Sequence, residues 1–179
     1  MKLLKYIFLL FAASTLCFCD VDTDAILDQE EDIEDYLDDK DIDYDDLDGV
    51  YRYVPNSDRA DYATSNVISK GDLVTYYFES YTFSYGPSEL IYSNKDYLIA
   101  EQVEAGLSAD SWSSDAIEAV IGTTNLLKGV TKGLVGCHEG DSVVLIMTSD
   151  YAYGDKVIGT VEGYTPIMYI ATIETVKNN

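Results

Sequence analysis

His138 is the single histidine of this 179-residue chain and directly follows Cys137. No Ser-His-Asp or Cys-His mechanism can be assembled around it, because each needs a base within hydrogen-bond reach of its nucleophile. His138 reads as an exposed turn residue and Cys137 as a small buried hydrophobe. A metal shell is equally lacking, since no second His or spaced Cys cluster completes a coordination sphere. Asp41, Asp43 and Asp45 alternate as calcium ligands do. Asp46, however, stands where the tight turn needs Gly, and Arg52 where the closing Glu belongs. The pair Glu30-Glu31 lies in an open acidic stretch, whereas glycoside hydrolysis needs two carboxyls across a cleft. Nucleic acid is excluded as a partner, because 11 basic residues against 33 acidic ones leave no footprint for phosphates. No phosphate-cradling glycine loop is present either.

The informative residues are glycines, aliphatics and tyrosines in a fixed order. Asn125-Leu126-Leu127-Lys128-Gly129-Val130 is followed by Gly133-Leu134, Glu139-Gly140-Asp141, an apolar strand from Ser142 to Met147, and Ser149-Asp150-Tyr151-Ala152-Tyr153-Gly154. Upstream, Gly71 to Phe78 reads as an early strand and Ile91-Tyr92-Ser93-Asn94 as a shorter motif. Together these segments resemble FK506-binding-protein-type (FKBP-type) peptidyl-prolyl cis-trans isomerases over about Gly49 to Val176, closely in the second half and loosely between Glu79 and Glu118. The resemblance implies an α+β fold: a strongly bent antiparallel sheet of five or six strands wrapped around one short helix, here Val130 to Cys137.

The resemblance also implies an activity, isomerisation of Xaa-Pro bonds, and a pocket for it. Phe78, Ile91, Tyr92, Ile117, Leu126, Val130 and Tyr169 would bind substrate, while Leu127 through its backbone N–H and Tyr153 through its hydroxyl would hold substrate carbonyls. Such chemistry needs no metal or cofactor, only a dry cup that favours the twisted amide. Three positions depart from the family pattern: Tyr92 replaces an acid, Val130 a large aromatic floor, and Phe78 the first pocket tyrosine. A catalytically weak peptide-binding or chaperone module therefore stays open, as does a structural or assembly protein of the cell envelope.

The elements that must position these residues follow from pattern. Strands are expected near Gly49 to Val54, at Asp72 to Phe83 and at Pro166 to Val176, with a further short one at Val67 to Ser69. Tyr85-Gly86-Pro87-Ser88 reads as a turn, after which Leu90 to Tyr92 re-enters the sheet. Helical fragments are expected at Tyr97 to Ala105 and Asp115 to Val120, with Leu98, Val103 and Leu107 as core cover.

The start of the chain concerns location. Met1 to Cys19 carries Lys2 and Lys5, then an apolar run from Tyr6 to Ala13 and small residues before cysteine, the layout of a bacterial secretory signal. It is too short for an ordinary membrane span. Cys19-Asp20 suggests a lipoprotein signal with Cys19 acylated, although Phe18 departs from the usual pattern, so processing at Cys17 or plain cleavage stays open. The expected location is the bacterial outer membrane or periplasm, with membrane contact only through that anchor. Expected partners are proline-containing peptides or unfolded exported proteins.

Residues 20–48 form an acidic arm with 16 carboxylates against Lys40, out of a formal net charge of -22 for the whole chain. Like charges at this density favour solvent exposure. Ile26, Ile33 and Leu37 nevertheless fall near helical spacing, with Tyr36 beside them and Asp24 placed to cap a short amphipathic helix. The remaining residues, 49–179, make the FKBP-like domain.

Overall fold

The computed structural model describes residues 21–179; the signal-like start with Cys19 lies outside the described residues. In chain order its elements are α1 (Val21–Asp39), β1 (Asp45–Asp46), β2 (Val50–Tyr53), β3 (Leu73–Phe83), β4 (Pro87–Ser93), α2 (Asp96–Glu104), β5 (Ile117–Val120), α3 (Lys128–Leu134), β6 (Ser142–Met147) and β7 (Ile167–Lys177). The strands form one antiparallel seven-stranded sheet in the order β1-β2-β6-β7-β3-β4, with β5 also paired to β3. The sheet stays open and wraps around α3. A register shift between Thr75 and Tyr76 along β7, and two more where β3 meets β4, supply the local bends that let it curve.

An unbroken apolar strand must be covered on both faces. β6 is: Val143, Leu145 and Met147 join the core around α3, while Val144 and Ile146 belong to a second core on the outer face. α3 fits into the curve because its glycines face β6. A Cβ on Gly129 would stand 2.6 Å from the Met147 sulfur, and one on Gly133 would run into the Leu145 side chain. The spacing of four puts both on one side of the helix, so the Lys-Gly-Val-Thr-Lys-Gly-Leu sequence encodes a close helix-to-sheet approach. The helix begins at Lys128 and ends at Leu134, two residues earlier at its start and three at its end than the expected Val130 to Cys137.

The outer core is covered by α1. Gln29, Ile33 and Leu37 recur every fourth residue, and all three are buried. Ile33 and Leu37 pack with Tyr51, Phe83, Val144, Ile146 and Met168, and Tyr36 meets Phe83 edge to face at 5.3 Å. Burying each of these aliphatic side chains contributes about 1.5–3 kcal/mol, enough to hold a helix whose outward positions are crowded with carboxylates. α1 ends where Asp41 adopts a left-handed φ of 52° and the Ile42 N–H donates to the Leu37 carbonyl at 3.0 Å, a helix-terminating turn. Asp24 lies inside α1 rather than ahead of it as a cap.

Several local expectations change. Residues Asp115 to Val120 are not a helical fragment: Ile117–Val120 is strand β5, paired residue for residue with Leu73 to Tyr76. The pairing decides, because Ala119 is buried and Glu118 exposed in strand alternation. Val67 makes only an isolated bridge to His138. His138 is half-buried rather than exposed, stacked on Tyr62 at 4.1 Å with its Nδ1 3.1 Å from the Ser65 hydroxyl. Leu98 is core cover, but Val103 and Leu107 point to solvent.

Candidate active site

Alternate residues of a strand share a face, so Tyr76, Phe78 and Ser80 of β3 look into the same space. This space is a cavity of about 370 Å³ between the curved sheet and the start of α3. β7 contributes Tyr169 and β4 contributes Tyr92; Ile117 enters from β5, and Asn125, Leu126, Leu127 and Val130 come from the approach to α3 and its first turn. Tyr153 closes it from the loop after β6. No lining side chain carries a formal charge.

The sequence-predicted residues Phe78, Tyr92, Ile117, Leu126, Leu127, Val130, Tyr153 and Tyr169 thus meet in one place. Ile91 is half-buried against the same core as Tyr76, Val130 and Tyr169 but is not itself among the residues lining the cavity. It is the extra residue where the pairing steps from Ser80–Tyr92 to Tyr81–Leu90. The expectation that the first pocket tyrosine is lost to Phe78 also changes, since Tyr76 stands two residues earlier on the same face. Its hydroxyl lies 3.5 Å from that of Tyr169. The period-two pattern of β3 contained that signal.

Phe78 is held at a seam. On one edge β3 pairs with β5 through Tyr76 and with β4 from Glu79 onward, leaving residues 77 and 78 between partners. Buried Ser93 and Asn94 fill the gap: Asn94 Oδ1 accepts the Phe78 N–H at 2.6 Å, and the Phe78 carbonyl accepts from the Ser93 hydroxyl at 2.8 Å and the Asn94 N–H at 3.2 Å. The Phe78 ring then stacks on Tyr169 at 4.8 Å, 10° from parallel, and on Tyr92 at 6.0 Å. Aromatic walls therefore surround the cavity even though its floor at position 130 is only valine.

The Tyr76, Tyr153 and Tyr169 phenols keep their protons at neutral pH and can donate. Burial raises the Tyr153 hydroxyl above its ordinary value; it raises Tyr169 further, with Tyr76 adding to the effect. Leu127 precedes the first turn of α3, with φ -56° and ψ 143°, and its carbonyl accepts the Thr131 N–H at 3.0 Å. The N–H of a residue at that position lies outside the helical ladder.

The loop carrying Tyr153 is anchored from behind. Thr148 donates its N–H to the Gly49 carbonyl at 3.1 Å, and Lys132 donates to the Tyr151 hydroxyl at 3.1 Å. The most informative anchor comes from α1. Gln29 accepts the buried Ser149 N–H at 2.8 Å and donates to the Tyr164 carbonyl at 3.0 Å, so a single carboxamide ties the two ends of the loop together. Sequence reasoning missed this residue. The available signal was one uncharged amide on the apolar stripe of an otherwise acidic helix.

The sequence profile described as FKBP-type peptidyl-prolyl cis-trans isomerase matches residues 66–173, which contain every cavity residue but not α1. Compared with curated protein sequences, the chain has no significant match. Among solved structures it is similar to FkpA from Escherichia coli, with TM-score 0.60 and 12% identity over 87% of this chain. The chain spans 61% of that protein's length. It is also similar to a peptidyl-prolyl cis-trans isomerase from Pseudomonas syringae pv. tomato str. DC3000, with TM-score 0.60 and 13% identity, covering 87% of this chain and 96% of the other. At such identities the likeness concerns the fold.

Proposed function

Because the chain belongs to the FKBP-type peptidyl-prolyl cis-trans isomerase family, we propose that it accelerates cis-trans exchange of Xaa-Pro bonds in peptides and unfolded exported proteins. Rotation about a peptide bond loses amide resonance and crosses a barrier of about 18–20 kcal/mol. No bond has to be made or broken. The protein must bind the twisted amide better than either planar form.

The observation that carries this reading is the uncharged cavity of about 370 Å³ with its aromatic walls, at the small end of ligand sites, which run to about 300–1,000 Å³. The proline ring enters between Phe78, Tyr169 and Val130. A twisted amide has less charge separation than a planar one and depends less on water, so dry walls favour it. The Tyr153 hydroxyl and the Leu127 N–H donate to carbonyls on either side of the ring. Leu127 and Val130 offer no charge, which favours a hydrophobic residue before the proline.

Exchange NMR or a protease-coupled assay on several Xaa-Pro peptides tests the reading: faster interconversion is expected, best with a hydrophobic residue before proline. Binding without turnover is a second reading, favoured by Val130 in place of a large aromatic floor. It prevails if no peptide is turned over while unfolded clients are retained. If neither occurs, an assembly role in the envelope takes its place. Export with acylation at Cys19 belongs to the same proposal and is tested by intact mass from the native envelope: an unprocessed Met1 overturns export, and an unmodified Asp20 start overturns acylation.

A further inference from the structure

The ring stack that begins inside the cavity does not end there. Beyond Tyr169 and Phe78, Tyr92 continues it, and Trp112 stacks on Tyr92 at 5.0 Å and 10° from parallel. Trp112 is only partly buried and comes from the connection between α2 and β5, far in sequence from the other rings. The turn after it is fixed to the ladder. The Ser113 N–H donates to the Tyr92 hydroxyl at 3.2 Å, the Ser113 hydroxyl donates to Asp115 Oδ2 at 3.0 Å, and the Asp115 carbonyl accepts from Asn94 at 2.8 Å. An exposed carboxylate is thereby held one hydrogen-bonded residue away from the outer aromatic pair. Between residues 96 and 127 the chain has six carboxylates and neither Lys nor Arg, so no internal cation of that segment competes for the carboxylate.

Building on the proposed peptide-binding role of the cavity, we infer that Trp112, backed by Tyr92, and Asp115 form an outer subsite for an arginine side chain close to the proline. A guanidinium is flat and cationic: it stacks on aromatic faces and pairs in plane with a carboxylate. An aromatic side chain would use the rings and leave Asp115 unused; a lysine would meet the charge without the stacking. Trp112 lies two rings beyond Phe78, on the order of 10 Å, which an extended peptide crosses in about three residues. The arginine stem shortens that to two.

Trp112 is the sole tryptophan, so its fluorescence reports occupancy directly. The full chain is titrated with tryptophan-free Xaa-Pro peptides carrying arginine, citrulline or lysine two residues from the proline on either side, alongside the turnover assay. Citrulline keeps the shape and removes the charge. The arginine peptide in its better position is expected to perturb Trp112 emission and to bind about five- to tenfold tighter than either control at low salt, with the gap narrowing as salt rises. Trp112→Leu and Asp115→Asn, with binding followed by calorimetry, should each bring the arginine peptide toward the citrulline value. Equal binding of the arginine and citrulline peptides overturns the subsite, even where both are isomerised. A selective Trp112 response without turnover upholds the subsite and removes the isomerase reading instead. Failure of every peptide to bind overturns both.

Discussion

Replacing Gln29 with alanine tests whether α1 positions the cavity loop or only covers the sheet. The substitution removes the acceptor of the Ser149 N–H and the donor to the Tyr164 carbonyl, bonds of 2.8 and 3.0 Å. Ser149 is completely buried, so its amide is stranded at a cost of about 1–3 kcal/mol. For a chain of this size 1 kcal/mol lowers Tm by about 2–4 °C, giving an expected drop of roughly 3–10 °C. Tyr153 lies four residues past Ser149 on the same loop. Misplacement there acts on the geometry of the bound amide, and kcat/KM should fall by about three- to tenfold. Gln29→Glu separates the two bonds, since its carboxylate still accepts from Ser149 but cannot donate to Tyr164 when ionised. It should retain protection of the Ser149 amide in hydrogen exchange while Gln29→Ala loses it. An alanine variant with unchanged Ser149 protection and unchanged melting would refute the clamp.

Tyr153→Phe keeps the ring and removes one donor; turnover should fall several-fold with near-native melting, and unchanged turnover with an intact fold excludes the hydroxyl from the reaction. Gly129→Ala should lower Tm despite the better helix propensity of alanine, because the added methyl meets the Met147 sulfur at 2.6 Å and overpacking costs about 1–3 kcal/mol; a higher Tm would show that the close approach can relax. Asp72 accepts N–H groups from Asn179 and Ser69 that hold its carboxyl below the ordinary 3.8, with Asn178 assisting. A depressed folded value means the stabilisation is present above pH 3.8 and is lost as pH falls through the lower folded value, so melting curves of the protein and of Asp72→Asn should converge in acid and separate near neutrality. Burial pushes the Cys137 thiol up to about 12, so peptide mapping after alkylation should find Cys137 unmodified in the native state and modified on unfolding; rapid native labelling would contradict its burial.

The amino-acid sequence alone determined the features whose cause is local. β6 is an apolar run from Val143 to Met147 and β7 opens with one from Ile167 to Ala171, and the glycines at 129 and 133 mark a close helical approach. Loop positions such as Tyr153 are fixed by a few neighbouring residues, and eight of the nine residues expected around the pocket line one cavity. Ile91 is left unpaired where the register shifts beside Tyr81, a placement that no local pattern contains. The six residues Asp115 to Val120 are ambiguous between helix and strand until Leu73 to Tyr76 pair with the last four of them. Tertiary structure alone decided the rest: Tyr76 beside Tyr169, Trp112 on Tyr92, and Gln29 against Ser149 each join residues from distant parts of the chain. Such contacts depend on which faces meet once the sheet curves, and the acidic helix shows it most plainly. Its composition favours solvent, yet one stripe of Gln29, Ile33 and Leu37 is buried, because the outer face of β6 had to be covered and this stripe fits it.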